Sequence, residues 1–90
     1  MQKAFQIQVF GKVQGVYYRQ STRDKALELG LKGTVQNLPD GSVLIHAEGN
    51  EENLNKLISW CHKGPIMSNV EQVKFSETEF KNLSTFEIIR

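Results

Sequence analysis

Apolar residues along this chain follow two spacings in turn, and the order of those spacings restricts the fold. Residues 5–9 alternate apolar with polar side chains, which is typical of a half-buried strand. Between 18 and 29 the apolar and small residues lie three or four positions apart, so they share one helix face. We expect this helix to end at Gly30, because glycine readily adopts the backbone angles found just after a helix.

Two more strands follow the first helix, joined by a strong turn signal. A strand is predicted over about residues 31–38. A turn is expected at 38–41, because Pro39 presets one backbone angle and Gly41 tolerates a positive one. The alternation of residues 43–48 then predicts a third strand.

The last third of the chain repeats the change from helical to strand spacing. Asn50 is a residue type that caps helices, and apolar positions within 54–61 predict a helix that ends at 64–65, a Gly-Pro pair. A fourth strand is predicted around 70–75, with a bulge, because its valines are out of phase. A short fifth strand is predicted around 86–88.

The predicted order is β-α-β-β-α-β with a short final strand, on a single domain that spans residues 1–90. This order is the split β-α-β arrangement called ferredoxin-like, an α+β fold. It predicts a mostly antiparallel sheet with both helices on one face. In this topology the first two strands run parallel on either side of the third, so their carboxyl ends lie at one rim. We therefore expect the loop 11–19 and Asn37 to lie at that rim.

Charge and composition narrow the classes of partner. The chain has 11 basic and 10 acidic residues, so a net charge of +1 supplies no broad field for nucleic acid or an anionic membrane. No signal peptide or membrane-spanning run is apparent, and we expect a cytoplasmic monomer. The single Cys61 excludes an intrachain disulfide and is expected in the core. His46 and His62 lack neighbours at metal-ligand spacing, so no metal site is predicted.

The loop from Gly11 to Arg19 carries the clearest chemical signal. It joins a strand to a helix start, whose unpaired N–H groups and partial positive charge attract anions. Gly15 allows the chain to approach a ligand closely, and Arg19 can bind two phosphate oxygens at once. The loop has neither the P-loop ending nor the dinucleotide-binding glycine spacing. From the residues alone, an anion site and a plain strand-helix connection both remain open.

The loop resembles the signature G-x-V-x-G-V-x-F/Y-R of the acylphosphatase family. The resemblance extends over essentially the whole chain and includes a second segment, 35–43, which reads VQNLPDGSV. Two departures are Tyr18, where phenylalanine is common, and Ser68, where alanine is usual. Neither departure falls on the expected chemistry.

The resemblance implies metal-independent hydrolysis of carboxyl–phosphate bonds, with a small-molecule acyl phosphate as substrate and inorganic phosphate as product. It implies no cofactor. The catalytic arginine of the family falls on Arg19, and its catalytic asparagine falls on Asn37. The amides that bind the substrate phosphate fall on five consecutive residues: Gly15, Val16, Tyr17, Tyr18 and Arg19.

Two other functions share this fold, because a fold does not fix a function. One is a non-catalytic domain that senses an anion or regulates a partner. The other is an RNA-binding module, which is disfavoured because the strand 41–48 lacks paired aromatic residues. For single residues, Asn37 has a structural alternative in the turn that follows it. Packing is expected for Tyr18, whereas Tyr17 has no assigned role.

Overall fold

The computed structural model describes residues 2–90 and contains five strands and two helices in the predicted order. They are β1 (Gln2–Lys12), α1 (Tyr18–Glu28), β2 (Lys32–Asn37), β3 (Val43–Asn50), α2 (Glu51–Lys63), β4 (Asn69–Thr78) and β5 (Phe86–Ile89). Neither helix is long and apolar enough to cross a membrane, within the residues described. The predicted helix end is confirmed, since α1 is followed by Gly30 at φ 71°.

The five strands form one sheet in the order β4-β1-β3-β2-β5. The pairs β1–β3, β1–β4 and β2–β3 are antiparallel, and β5 runs parallel to β2. This is the expected ferredoxin-like arrangement. Because β1 and β2 flank β3 and both run opposite to it, their carboxyl ends reach the same rim of the sheet.

Both helices cover one face of the sheet and bury the stripes that the spacing predicted. Helix α1 buries Tyr18, Thr22 and Ala26, and α2 buries four residues: Leu54, Leu57, Ile58 and Cys61. Each fully buried aliphatic side chain of this core contributes about 1.5–3 kcal/mol relative to exposure. Burial also raises the pKa of the Cys61 thiol to about 12, so the core cysteine stays protonated.

The predicted bulge in β4 is present and lies beside the carboxyl end of β1. Phe10 pairs with Gln72 but Gly11 pairs with Val70, so Glu71 is an extra residue in β4. Gly11 has φ 126°, and a Cβ there would overlap the carbonyl oxygen of the opposite strand. Glycine is therefore required at this position, where the chain leaves the sheet for the loop.

A buried carboxylate fastens the connection between β4 and β5 to the sheet face opposite the helices. Glu48 is 1% exposed and accepts hydrogen bonds from the amides of Lys81 and Leu83, the latter at 2.8 Å. His46 Nε2 lies 2.8 Å from the same carboxylate. No local sequence pattern indicates this contact, because the hydrogen-bonding partners lie more than 30 residues away in an irregular segment.

The surroundings of Glu48 also determine how its charge affects stability. Burial alone would raise the pKa of Glu48, but hydrogen bonds from His46 and the amides of Leu83 and Lys81 outweigh it and hold the pKa below its ordinary value. A lowered pKa in the folded state means that the carboxylate stabilises the fold above its unfolded-state pKa. That contribution is lost as pH falls through the folded-state value.

We expect Glu48→Gln to lower the free energy of unfolding by about 1–3 kcal/mol at pH 7, because one buried amide then faces an NH₂ group. Urea denaturation at several pH values measures the difference from the wild type. The difference should stay constant down to about pH 4.5 and shrink below it. Glu79→Gln, an exposed carboxylate in the same connection, is the matched control. A loss that grows on acidification would contradict this assignment.

Candidate active site

The loop between β1 and α1 is fixed in place by three side chains. Val13 and Val16 are buried in the core, at 1% and 6% exposure. Gln14 Nε2 donates to the carbonyl oxygens of Leu38 and Ser42, each at 2.9 Å. These two bonds join the loop to the turn between β2 and β3, so the loop and the end of β2 form one rigid rim.

The amides at the start of α1 are unpaired among the residues that the structure describes. The first bond of this helix runs from Ser21 N to Tyr17 O, at 3.0 Å. The amides of residues 15–20 donate to no acceptor within residues 2–90. The helix has no side-chain cap and no acidic residue in its first turn. Six consecutive donors and the positive end of the helix dipole therefore face outward at this rim.

Helix α2 provides an internal comparison, because its N-terminus is closed by the protein itself. Asn50 Oδ1 accepts hydrogen bonds from the amides of Glu52 and Asn53, as its residue type predicted. Glu51 and Glu52 add negative charge to the first turn. Only the first helix thus keeps its N-terminus available for an anion from solution.

The backbone of the loop has the alternating φ pattern of an anion-binding segment. Gly15 has φ 76° and Tyr17 has φ 65°, both in the left-handed region. Alternation of left-handed and right-handed residues directs successive N–H groups into an anion-binding concavity. Tyr17 holds this conformation without the freedom of glycine, which is uncommon for a bulky residue and typical of functional loops.

The two adjacent tyrosines have different roles. Tyr18 is 1% exposed, donates its hydroxyl to Cys61 O at 2.7 Å and packs on the ring of Trp60. Burial raises the pKa of Tyr18 far above its ordinary value, so the phenol stays protonated. Packing is confirmed for Tyr18, whose side chain locks the start of the helix. Tyr17 is 77% exposed and borders the site.

Arg19 and Asn37 line one cavity at this rim, as the topology predicted. The cavity measures about 390 Å³ and also contains Gly15, Tyr17 and the backbone around Tyr18. The Arg19 guanidinium has no carboxylate oxygen within 4 Å among residues 2–90, so its charge is not neutralised by a side chain. The site therefore combines a free cation with the unpaired amides of the loop.

Asn37 has an unsatisfied acceptor, which distinguishes it from a residue of the turn. Its Oδ1 is buried and has no hydrogen-bond partner within residues 2–90. The turn itself is closed by Leu38 N to Ser42 O, Gly41 N to Leu38 O, and the Asp40 carboxylate, which accepts from Ser42 N at 2.9 Å. Hydrogen bonds from the Ser42 hydroxyl and, next, from the Ser42 amide also hold the pKa of Asp40 below its ordinary value. The side chain of Asn37 therefore does not hold the turn.

Two residues of the cavity were missed by sequence reasoning: Ile88 and Arg90. Extending the alternation of β5 by one step would have placed Arg90 on the face of Phe86 and Ile88.

Neither histidine belongs to the site: His46 is paired with Glu48, and His62 Nδ1 lies 3.0 Å from Ile58 O. Within residues 2–90, no three His, Cys, Asp or Glu side chains are grouped to hold a metal ion.

Acylphosphatases are among the known proteins to which this chain is similar. The acylphosphatase family model matches residues 5–88. The acylphosphatase of Marinobacter nauticus is 58% identical over 69 residues, which are 77% of this chain and 75% of that protein. Two solved acylphosphatases superpose with a TM-score of 0.95. That of Coxiella burnetii is 36% identical and covers 98% of this chain and 93% of its own. That of Bacillus subtilis is 32% identical and covers 100% of both chains.

We expect inorganic phosphate to bind at the N-terminus of α1, because a tetrahedral anion matches unpaired amides beside a free guanidinium. Titration followed by ¹H–¹⁵N NMR should shift the amides of residues 15–20 most. The amides of residues 51–54 serve as the control, because Asn50 already caps that helix. Shifts that are largest in α2, or spread evenly over the chain, would contradict the site.

Proposed function

The chain belongs to the acylphosphatase family and is an acylphosphatase, and from that premise we propose that Arg19 and Asn37 are its catalytic residues. The supporting observation is that one cavity joins a free guanidinium, unpaired helix amides and an unpartnered carboxamide oxygen. Each of these groups matches one requirement of the hydrolysis of an acyl phosphate.

The loop amides and Arg19 bind the phosphoryl group. In phosphoryl transfer, catalysis consists mainly of positioning and of stabilising the charge on the equatorial oxygens. Amides fixed by Gln14, Val13 and Val16 need no reorganisation as that charge develops. Arg19 adds a planar guanidinium that can bind two of these oxygens together.

The leaving group of the reaction is a carboxylate, which departs without a proton donor. This agrees with the side chains that line the cavity, none of which is a carboxylic acid, a histidine or a lysine within the described residues. Two tyrosines line the cavity: the phenol of Tyr18 is buried and already donates to Cys61 O, and Tyr17 is 77% exposed to solvent. We infer that no general acid acts on the leaving oxygen.

Asn37 positions the attacking water. Its buried Oδ1 can accept a hydrogen bond from that water and so hold the water oxygen in line with the phosphorus. The water oxygen attacks phosphorus while the bond from phosphorus to the carboxylate oxygen breaks. The proton of the water passes to a phosphoryl oxygen, which yields inorganic phosphate and the carboxylate.

We further propose that the enzyme acts without a metal ion, as a cytoplasmic monomer. The guanidinium and the amides supply the charge stabilisation that a metal ion gives to other phosphoryl-transfer enzymes. The activity assays described below are therefore run with a chelator present.

We expect Arg19→Ala to lower kcat for benzoyl phosphate by about 10³-fold or more, since an arginine that acts on transition-state charge contributes about 10³–10⁵ in rate. Arg19→Lys should retain little of the wild-type kcat, because an ammonium group cannot form the bidentate contact with two phosphoryl oxygens. Lys32→Gln, which removes an exposed charge at the far end of β2, is the control and should leave kcat unchanged. Normal turnover of Arg19→Ala would exclude this mechanism.

We expect Asn37→Ala to lower kcat by about 10²-fold, because the water loses its alignment, while the affinity for inorganic phosphate and the melting temperature change little. Gln36→Ala, the neighbouring carboxamide on the opposite face of β2, is the matched control. If Asn37 served only the turn, stability would fall by about 1 kcal/mol and turnover would persist. A parallel loss of turnover and phosphate affinity would instead mean that Asn37 binds the phosphate.

A further inference from the structure

Arg90 lies beside the catalytic rim although it is distant from it in sequence. In the parallel pair of β2 and β5, Val35 pairs with Ile88 and Gln36 with Ile89. The next step of this register places Arg90 beside Asn37, and neighbouring strands are about 4.8 Å apart. Side chains alternate along a strand, so Arg90 shares the helix-covered face with Ile88 and lines the catalytic cavity.

A second cavity continues from the first. It also measures about 390 Å³ and is lined by Arg23, Thr85, Phe86, Glu87, Ile88 and Arg90. The two cavities share Ile88 and Arg90. A ligand whose phosphoryl group lies at the loop amides can therefore extend past Ile88 and reach Arg90.

The charges along this path are mostly positive. Arg19 and Arg23 are four residues apart on α1, on one side of the helix, and Arg90 lies between the two cavities. No carboxylate oxygen lies within 4 Å of any of the three guanidiniums among residues 2–90. Glu87 is the one acidic side chain that lines either cavity in this part of the chain, and it accepts a hydrogen bond from Thr85 Oγ1 at 2.7 Å.

The other two arginines already have identified contacts or roles, whereas Arg90 has none. Arg23 Nε donates to Phe86 O at 3.2 Å, which ties α1 to β5. Arg19 and the loop amides supply the positive groups that one phosphoryl group requires. The further guanidinium of Arg90, which lines both cavities, exceeds that need, and guanidinium groups bind carboxylates and phosphates in bidentate geometry.

We propose that Arg90 is a specificity-determining residue that binds a second anionic group on the acyl portion of the substrate. This inference rests on the proposed phosphate site at Arg19, which lines the same cavity as Arg90. The substrate class is then acyl phosphates whose acyl group carries a carboxylate or another anion. The aliphatic side chain of Ile88 packs along the carbon skeleton between the two anionic groups.

Two pairs of synthetic substrates test the proposal: benzoyl phosphates with a carboxylate at the 3- or 4-position, each compared with the corresponding neutral carboxamide. The measured quantity is the ratio of kcat/KM for the charged substrate to that for the neutral one. In Arg90→Gln this ratio should fall about fivefold for at least one pair, the upper end of what an exposed ion pair contributes. The wild-type ratio should fall as the ionic strength is raised.

Lys32→Gln removes the same charge at the opposite end of the sheet and should leave the ratio at the wild-type value. The proposal is overturned if Arg90→Gln leaves both ratios unchanged, or if Lys32→Gln lowers them equally. It is also overturned if Arg90→Gln slows charged and neutral substrates alike, which would make Arg90 part of the phosphate site. The phosphate site is tested separately, because Arg19→Ala should slow the neutral substrates as well.

Discussion

The unpaired N-terminus of α1 is the constraint on which the rest of the site depends. Free amides are useful to catalysis only if they stay where the transition state needs them. The protein achieves this with contacts outside the amides: two buried valines, the carboxamide of Gln14 and the ring of Tyr18, which packs against α2. The donors are thus rigid without being paired. Rigid, unpaired donors distinguish this helix start from that of α2.

The sheet topology then brings distant parts of the chain to this helix start. The split β-α-β order makes β1 and β2 parallel neighbours of β3, so the loop after β1 and Asn37 at the end of β2 share a rim. Strand β5 pairs in parallel with β2 and delivers Arg90 to the same rim from the last residues described. The carboxyl ends of three strands, β1, β2 and β5, therefore meet at one cavity. None of these strands could form the cavity alone.

Sequence reasoning was accurate where a single local rule decides the structure. Side-chain spacing gave the order of elements, the phase change at Val70 and Val73 gave the bulge, and Asn50 was correctly read as a cap. It missed features that depend on contacts across the sheet. Glu48 looks like an outward-facing strand residue until the distant segment 81–83 covers it. Arg90 was missed because its importance comes from a parallel register that no local pattern reveals.

Departures from ideal local structure are concentrated at the rim of the site. Tyr17 has a positive φ, the amides of 15–20 lack acceptors, and Asn37 Oδ1 is the buried side-chain atom without a partner among residues 2–90. Elsewhere the same kinds of group are satisfied: Asn50 caps α2, and Asp40 closes its turn. A chain selected for stability alone would have capped α1 with Ser or Asp, and either cap would occupy amides that the phosphoryl group must contact. The local cost in stability and the capacity to bind the substrate anion therefore have one physical origin: backbone and side-chain groups that the protein itself leaves unpaired.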